Sequence, residues 1–458
     1  MNSNKSCQVA VKTPWGSLTE RQTYSDIEMQ GTVLTPIKCS VQIDTLGKEL
    51  LAEDGNRLYK YKGYVRIPPL ALIDDVLTIS DCGINSVFMN PAVQSKVNNK
   101  RLELGHKKCS KMHIGGKHTA CPKLMVHSEE MLTSSSEKYL GDILVNTGKI
   151  DENLKARQSK GVGIVNQIMG LLKEISFGSY FFQMALVFRN SQLINGTLFN
   201  MEALHGVNKK HLDVIEESDK MLFRNIFDCP QGTPLEAFFL ETSTIPLRFI
   251  LQGRRLMYLW TLLKKPKTEL AREVYDAQKL FKTKGSWVEK VEEDLKSCEI
   301  NLSDDEIQNL SQYKMSKLVK SKIREQADFF LLKMKAKHVK TEKLFPIPKM
   351  NDYLLSEELN TEEKRLLFKL RISMIPLKGN FSNAHSDTQC DLCEEEDSEE
   401  TQIHLLQCSF IVNHPQLQSV IKSIKYNDIF ENLSAQVKAV KVWKQILAVR
   451  KIKLGLNK

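Results

Sequence analysis

Residues 65–79 read Val65-Arg66-Ile67-Pro68-Pro69-Leu70-Ala71-Leu72-Ile73-Asp74-Asp75-Val76-Leu77-Thr78-Ile79. An apolar run, Pro68 to Ile73, meets the polar pair Asp74-Asp75 and resumes as Val76-Leu77-Thr78-Ile79. Two β-prone runs around a tight polar pair predict an antiparallel hairpin. Around it, from Gln22 to about Leu144, short runs of the same kind alternate with Gly, Pro and Asn, mixed with helical stretches. From about Asn153 the period changes. Ile164, Ile168, Leu171, Leu172 and Ile175 fall at helical spacing, as do Leu212, Ile215, Leu222 and Ile226. The fold class expected is therefore α+β, with strands early and helices late.

The helical stretch is broken at Lys264-Lys265-Pro266-Lys267. Beyond it, Trp287 to Leu332 reads as further helices, with an N-cap and first-turn acids in 301–306. Pro346-Ile347-Pro348 ends that stretch, Thr361 to Ile372 reads as another helix, and Ala435 to Lys451 as a last, basic one. A chain of 458 residues exceeds one ordinary core, so several folded units are expected. Apolar residues make up 41% and charged residues 26%, which argues against wholesale disorder. No run of eighteen apolar residues occurs and Met1 to Lys5 is polar, so neither a membrane span nor a secretory signal is expected. These readings place the chain inside the cell, cytoplasmic or nuclear, with its ten cysteines reduced.

Three of those cysteines crowd together with a histidine: Cys390-x2-Cys393-x10-His404-x3-Cys408. Four soft or borderline ligands in two close pairs suit tetrahedral Zn²⁺, because each short spacing lets one turn present two ligands. The bland alternative is a set of unliganded thiols on an acidic loop. His385 and His414 lie nearby as competing ligands.

The pair Asp74-Asp75 has two readings. Asp is common in turns, where it is simply solvated. Adjacent aspartates on a hairpin are also hard ligands for Mg²⁺ or Mn²⁺, as nucleotidyl transfer with two metals requires. Gln30-Gly31-Thr32-Val33-Leu34-Thr35-Pro36, then Asp44 to Glu49, Leu72-Ile73-Asp74-Asp75, Lys107 to Met112 and Glu137-Lys138-Tyr139-Leu140-Gly141 follow one another in order. Together they resemble the motif series of non-LTR retrotransposon reverse transcriptases. The match departs at Leu72 and Ile73, which are aliphatic where that family has an aromatic and a small residue. The end of the Cys/His cluster, Thr401 to Cys408, and the preceding Leu367-Phe368-Lys369-Leu370-Arg371 likewise resemble the family's C-terminal zinc knuckle and its lead-in helix.

The resemblance implies an RNA-directed DNA polymerase. Asp74 and Asp75 would hold Mg²⁺ or Mn²⁺, Lys108 would serve as the catalytic lysine, and Gln30 and Gly31 would contact template and nucleotide. Tyr139, Leu140 and Gly141 would grip the primer. It also implies an organisation: a partial palm at 1–145, a helical thumb-like domain at 146–265, a basic helical region at 266–380, the zinc knuckle at 381–412 and a basic helix at 413–458. In the family a further catalytic aspartate lies well upstream of the Gln-Gly motif. Only twenty-nine residues precede Gln30, and their acids, Glu20, Asp26 and Glu28, lack an apolar strand setting. Residues 1–458 alone are therefore expected not to polymerise.

The net charge of +10 fits a polyanionic partner. Between Lys314 and Lys343 there are ten Lys/Arg against three Asp/Glu. Lys314, Lys317, Lys320, Lys322, Arg324, Lys333, Lys335 and Lys337 are the candidate contacts to RNA and DNA. A solvated helix face is the alternative. Phe329 and Phe330 read as core residues. The acidic stretch 394–400 argues against contact between that loop and phosphate.

Overall fold

The structure is a computed structural model describing residues 7–9, 22–24, 49–50, 52, 57–72, 75–99, 103–115, 122–175, 177–347, 349–381, 387–393, 395 and 398–456. It is mixed α+β, about 60% helical, with small antiparallel sheets. Chain contacts divide it into two compact units, residues 1–149 with 273–281, and residues 150–272 with 282–458.

The first unit holds the strands. Among the described residues they form two-stranded ribbons, five antiparallel and one parallel, in keeping with the α+β class expected. The expected hairpin is present as Leu70–Leu72 paired with Asp75–Leu77. Its register differs by one residue from the sequence reading. Leu72 pairs with Asp75, so Asp75 begins the second strand instead of standing in the turn. A second hairpin, Ser136–Tyr139 with Asp142–Val145, turns at Leu140-Gly141. Both turn residues have positive φ, 49° and 90°. That geometry matches the right-handed twist of the flanking strands and suits Gly141. The helix Gly83–Asn99 buries Met89, Val93 and Val97 at four-residue spacing against Leu50 and Leu58, making a small core.

The second unit is helical. Helix Asp151–Glu174 buries Val165, Ile168 and Leu172, while Ile175, read as part of its apolar face, caps the helix and is exposed. It packs on helix Lys209–Phe227, which buries Ile215, Leu222 and Ile226. Gly161 permits that approach: a Cβ there would lie 2.8 Å from Ser218 and Thr197 side-chain atoms. Helix Leu247–Leu263 stops just before Pro266. Ser303 caps helix Asp304–Asn309 in a reciprocal box with Glu306, and Asn360 does the same with Glu363 for Thr361–Arg371. One core joins these helices to the C-terminal segments. Phe227 and Phe368 pack with ring centroids 4.2 Å apart and planes tilted by 36°, and Cys390, Cys408, Ile411 and Trp443 belong to the same cluster. Burial of each large side chain there contributes about 1.5–3 kcal/mol. Among the described residues no helix is long and apolar enough to cross a membrane.

Candidate metal centre

Residues Thr388 and Glu400 lie side by side, with the Glu400 amide donating to the Thr388 carbonyl and the Cys390 amide to the Ser398 carbonyl, both at 2.8 Å. Gln389 and Glu399 bridge in antiparallel fashion between them. This small hairpin carries Cys390 and Cys393. The other two ligands come from the turn that follows. Thr401 caps the one-turn helix Gln402–Leu405, its hydroxyl accepting from the His404 amide at 3.2 Å. The Cys408 amide donates to the His404 carbonyl, so a single turn sets the two side chains together.

The result is a closed donor set. One ligand atom from each of Cys390, Cys393, His404 and Cys408 lies within 4.8 Å of all the others. Cys393 Sγ and His404 Nε2 are 3.4 Å apart. Sulfurs bound at ~2.3 Å to one tetrahedral ion stand about 3.8 Å apart, so these four residues can hold a metal such as zinc after small side-chain adjustments. Three thiolates and an imidazole are the chemistry of a closed, structural zinc site. Burial pushes the Cys390 thiol up, and pushes Cys408 up to about 12. Burial acts on Cys393 too, but hydrogen bonds with the Ser398 hydroxyl, the Glu395 backbone and the Cys390 and Cys408 thiols together hold it below its usual value. A bound cation stabilises all three thiolates and displaces their protons. His414 stands apart, its ring tilted against Phe410 at 5.9 Å, and His385 lies outside the described residues.

The module is anchored from elsewhere in the unit. Glu400, fully buried, receives Arg450 Nε at 2.8 Å and an Arg450 terminal nitrogen at 2.9 Å. The Lys378 amide donates to the same carboxylate at 2.9 Å. Gly379 passes so close that a Cβ would lie 2.9 Å from Glu399 and Thr401 side-chain atoms. In the sequence Glu400 belongs to the acidic stretch 394–400 and Arg450 to the basic C-terminal helix. The structure instead pairs them in the core.

In the first unit, Asp75 is exposed, whereas Asp74, Gln30 and Gly31 lie outside the described residues. The Tyr139 hydroxyl donates to the Leu70 carbonyl at 3.3 Å. Burial raises the Tyr139 phenol, and the Asp75 charge raises it further. The hairpin with the Leu140-Gly141 turn thus lies beside the one that carries Asp75. Lys108 is exposed in the short helix His106–Lys108. It is Lys111 that is buried, donating to the Pro122 carbonyl at 2.8 Å and to Glu130 at 2.9 Å.

The basic region divides by role. Helix Gln312–Lys335 buries Met315, Val319, Ile323, Ala327 and Leu331, leaving Lys314, Lys317, Lys320 and Lys333 exposed, with Lys337 exposed just beyond. Lys322 pairs with Glu325 at 2.9 Å. Arg324 serves the scaffold, donating to the Ser243 carbonyl at 2.9 Å and the Ile347 carbonyl at 2.8 Å. Lys335 sits 3.3 Å over the Phe345 ring. Phe330 packs edge-on to Phe249, as expected of a core residue. Phe329 does not: it is 67% exposed, because it falls opposite the buried stripe. Compared with family models, curated proteins and solved structures, the chain gives no match.

Proposed function

We propose that this chain is a nucleic-acid-binding portion of a reverse transcriptase of the non-LTR retrotransposon kind, its strand-rich unit contributing to a palm and its helical unit to a thumb and zinc knuckle. In this reading Asp74 and Asp75 hold Mg²⁺ or Mn²⁺, which would neutralise charge on the transferring phosphate. The exposed lysines of 314–337 meet the backbone of RNA or DNA. The observation that carries the reading is the bond from Tyr139 to Leu70, 69 residues apart. Two motifs that resemble the aspartate hairpin and the primer-gripping turn come together in space as that activity requires.

The test is photocrosslinking of a primer–template whose primer bears a thio-substituted 3′ nucleotide. Crosslinks to residues 136–145 are expected. Crosslinks confined to residues 312–456 would favour a second reading, a non-catalytic nucleic-acid-binding protein. That reading is supported by Lys314, Lys317, Lys320, Lys333 and the exposed Phe329, all within the helical unit.

A further inference from the structure

A cavity of about 310 Å³ lies in the helical unit, walled by Pro246, Phe239, Phe330, Leu331 and Met334, with Glu236 in its lining. Each of Arg248, Lys220 and Arg224 makes at least one bond, although Arg224 Nε, like Thr233 Oγ1 in the same lining, has no hydrogen-bond partner. Arg248 bonds Glu216 at 2.8 Å and Asp213 at 2.9 Å. Lys220 bonds Glu217 at 2.6 Å, and Arg224 donates to the Gln231 carbonyl at 2.7 Å. Of the lining acids, Asp213 and Glu216 are bonded by Arg248, and Glu236 is not. Glu236 is only 4% exposed, and its Oε1 has no hydrogen-bond partner. Among the described residues its ion-pair partner is the His338 imidazole alone, with Nε2 at 3.7 Å, beyond hydrogen-bond reach.

A buried carboxylate is costly without a cation and donors to satisfy it. A concave chamber with apolar side chains in its wall and an unmet carboxylate among its charged groups is suited to a small molecule. We infer that this cavity is a binding site for a small organic cation, an ammonium or guanidinium on an apolar or aromatic body. The cationic head pairs with Glu236, and the body packs against Phe239, Phe330 and Met334. The site is separate from the metal centre and does not depend on the nucleic-acid reading.

The probes are 2-phenylethylammonium and its neutral counterpart 2-phenylethanol, titrated calorimetrically into the full chain at pH 8. The ammonium should bind at least about tenfold tighter, one pairing's worth of discrimination. Glu236→Gln should remove that preference while leaving the alcohol's affinity unchanged. Met334→Trp, which keeps the carboxylate and fills the chamber, should abolish binding of both. Equal affinities for the two probes, no binding of the ammonium at millimolar concentration, or binding that survives Met334→Trp would overturn the assignment.

Discussion

Arg450, one turn from the end of the last helix, holds the buried Glu400 carboxylate at two points, 2.8 and 2.9 Å, beside the hairpin that carries Cys390 and Cys393. The metal module is thereby part of the helical unit's core. Removing one member of a buried pair leaves the other charge uncompensated, typically at ~3–5 kcal/mol. Arg450→Ala should lower unfolding free energy by about that much in urea titrations. A loss under ~1 kcal/mol would show that the pair does not hold the module.

Gly379→Ala tests the same packing through sterics. The new methyl would meet Glu399 and Thr401 side chains at 2.9 Å and the Glu400 carbonyl at 3.0 Å. Overpacking of this kind costs about 1–3 kcal/mol. Zinc affinity, measured by competition with a chelating dye, should fall with it, since the displaced strand pairs with the one bearing Cys390 and leads into the turn bearing His404 and Cys408. An unchanged affinity would mean the hairpin is free to move.

The basic helix should separate into binding and scaffold residues. Charge reversal of Lys314, Lys317, Lys320 and Lys333 should weaken RNA or single-stranded DNA binding and flatten its salt dependence. Stability should change by less than about 0.5 kcal/mol, as for ordinary surface sites. Arg324→Ala should do the opposite, removing the Arg324 donor from the Ser243 carbonyl and leaving the Ile347 carbonyl to the Ser243 hydroxyl at 2.6 Å. The expected loss of stability is ~1–3 kcal/mol. Anisotropy titrations at several salt concentrations, alongside thermal melts, distinguish the two classes.

Phe329 offers a finer check. An exposed aromatic one turn from Lys333 is suited to stacking on a base, worth ~1–3 kcal/mol in single-strand binding. Phe329→Ala should weaken binding of single strands more than of duplex. Equal effects on both would remove the stacking role.

Much of this was legible beforehand because it is local. Helix periods, the Ser303 cap, the break before Pro266 and the paired ligand spacings are all encoded within a few residues. What escaped is decided at longer range or by a single step of register. Leu72 pairs with Asp75, and nothing in the aliphatic run before the aspartates marks that register. Phe329 and Phe330 are adjacent, and the buried stripe from Met315 to Leu331 alone tells them apart. Glu400 and Arg450 are separated by 50 residues, each inside a run of like charge, so neither advertised a buried partner.

The most direct measurement concerns the metal itself. Zinc content and zinc-edge X-ray absorption should be recorded on the purified full chain. One zinc per chain is expected, with about three sulfurs near ~2.3 Å and one nitrogen near ~2.0–2.1 Å. Cys393→Ala should lose that signature, with zinc falling below stoichiometry. Absence of stoichiometric zinc in the wild type, a shell of nitrogen and oxygen alone, or an unaltered spectrum in Cys393→Ala would contradict the assignment of Cys390, Cys393, His404 and Cys408.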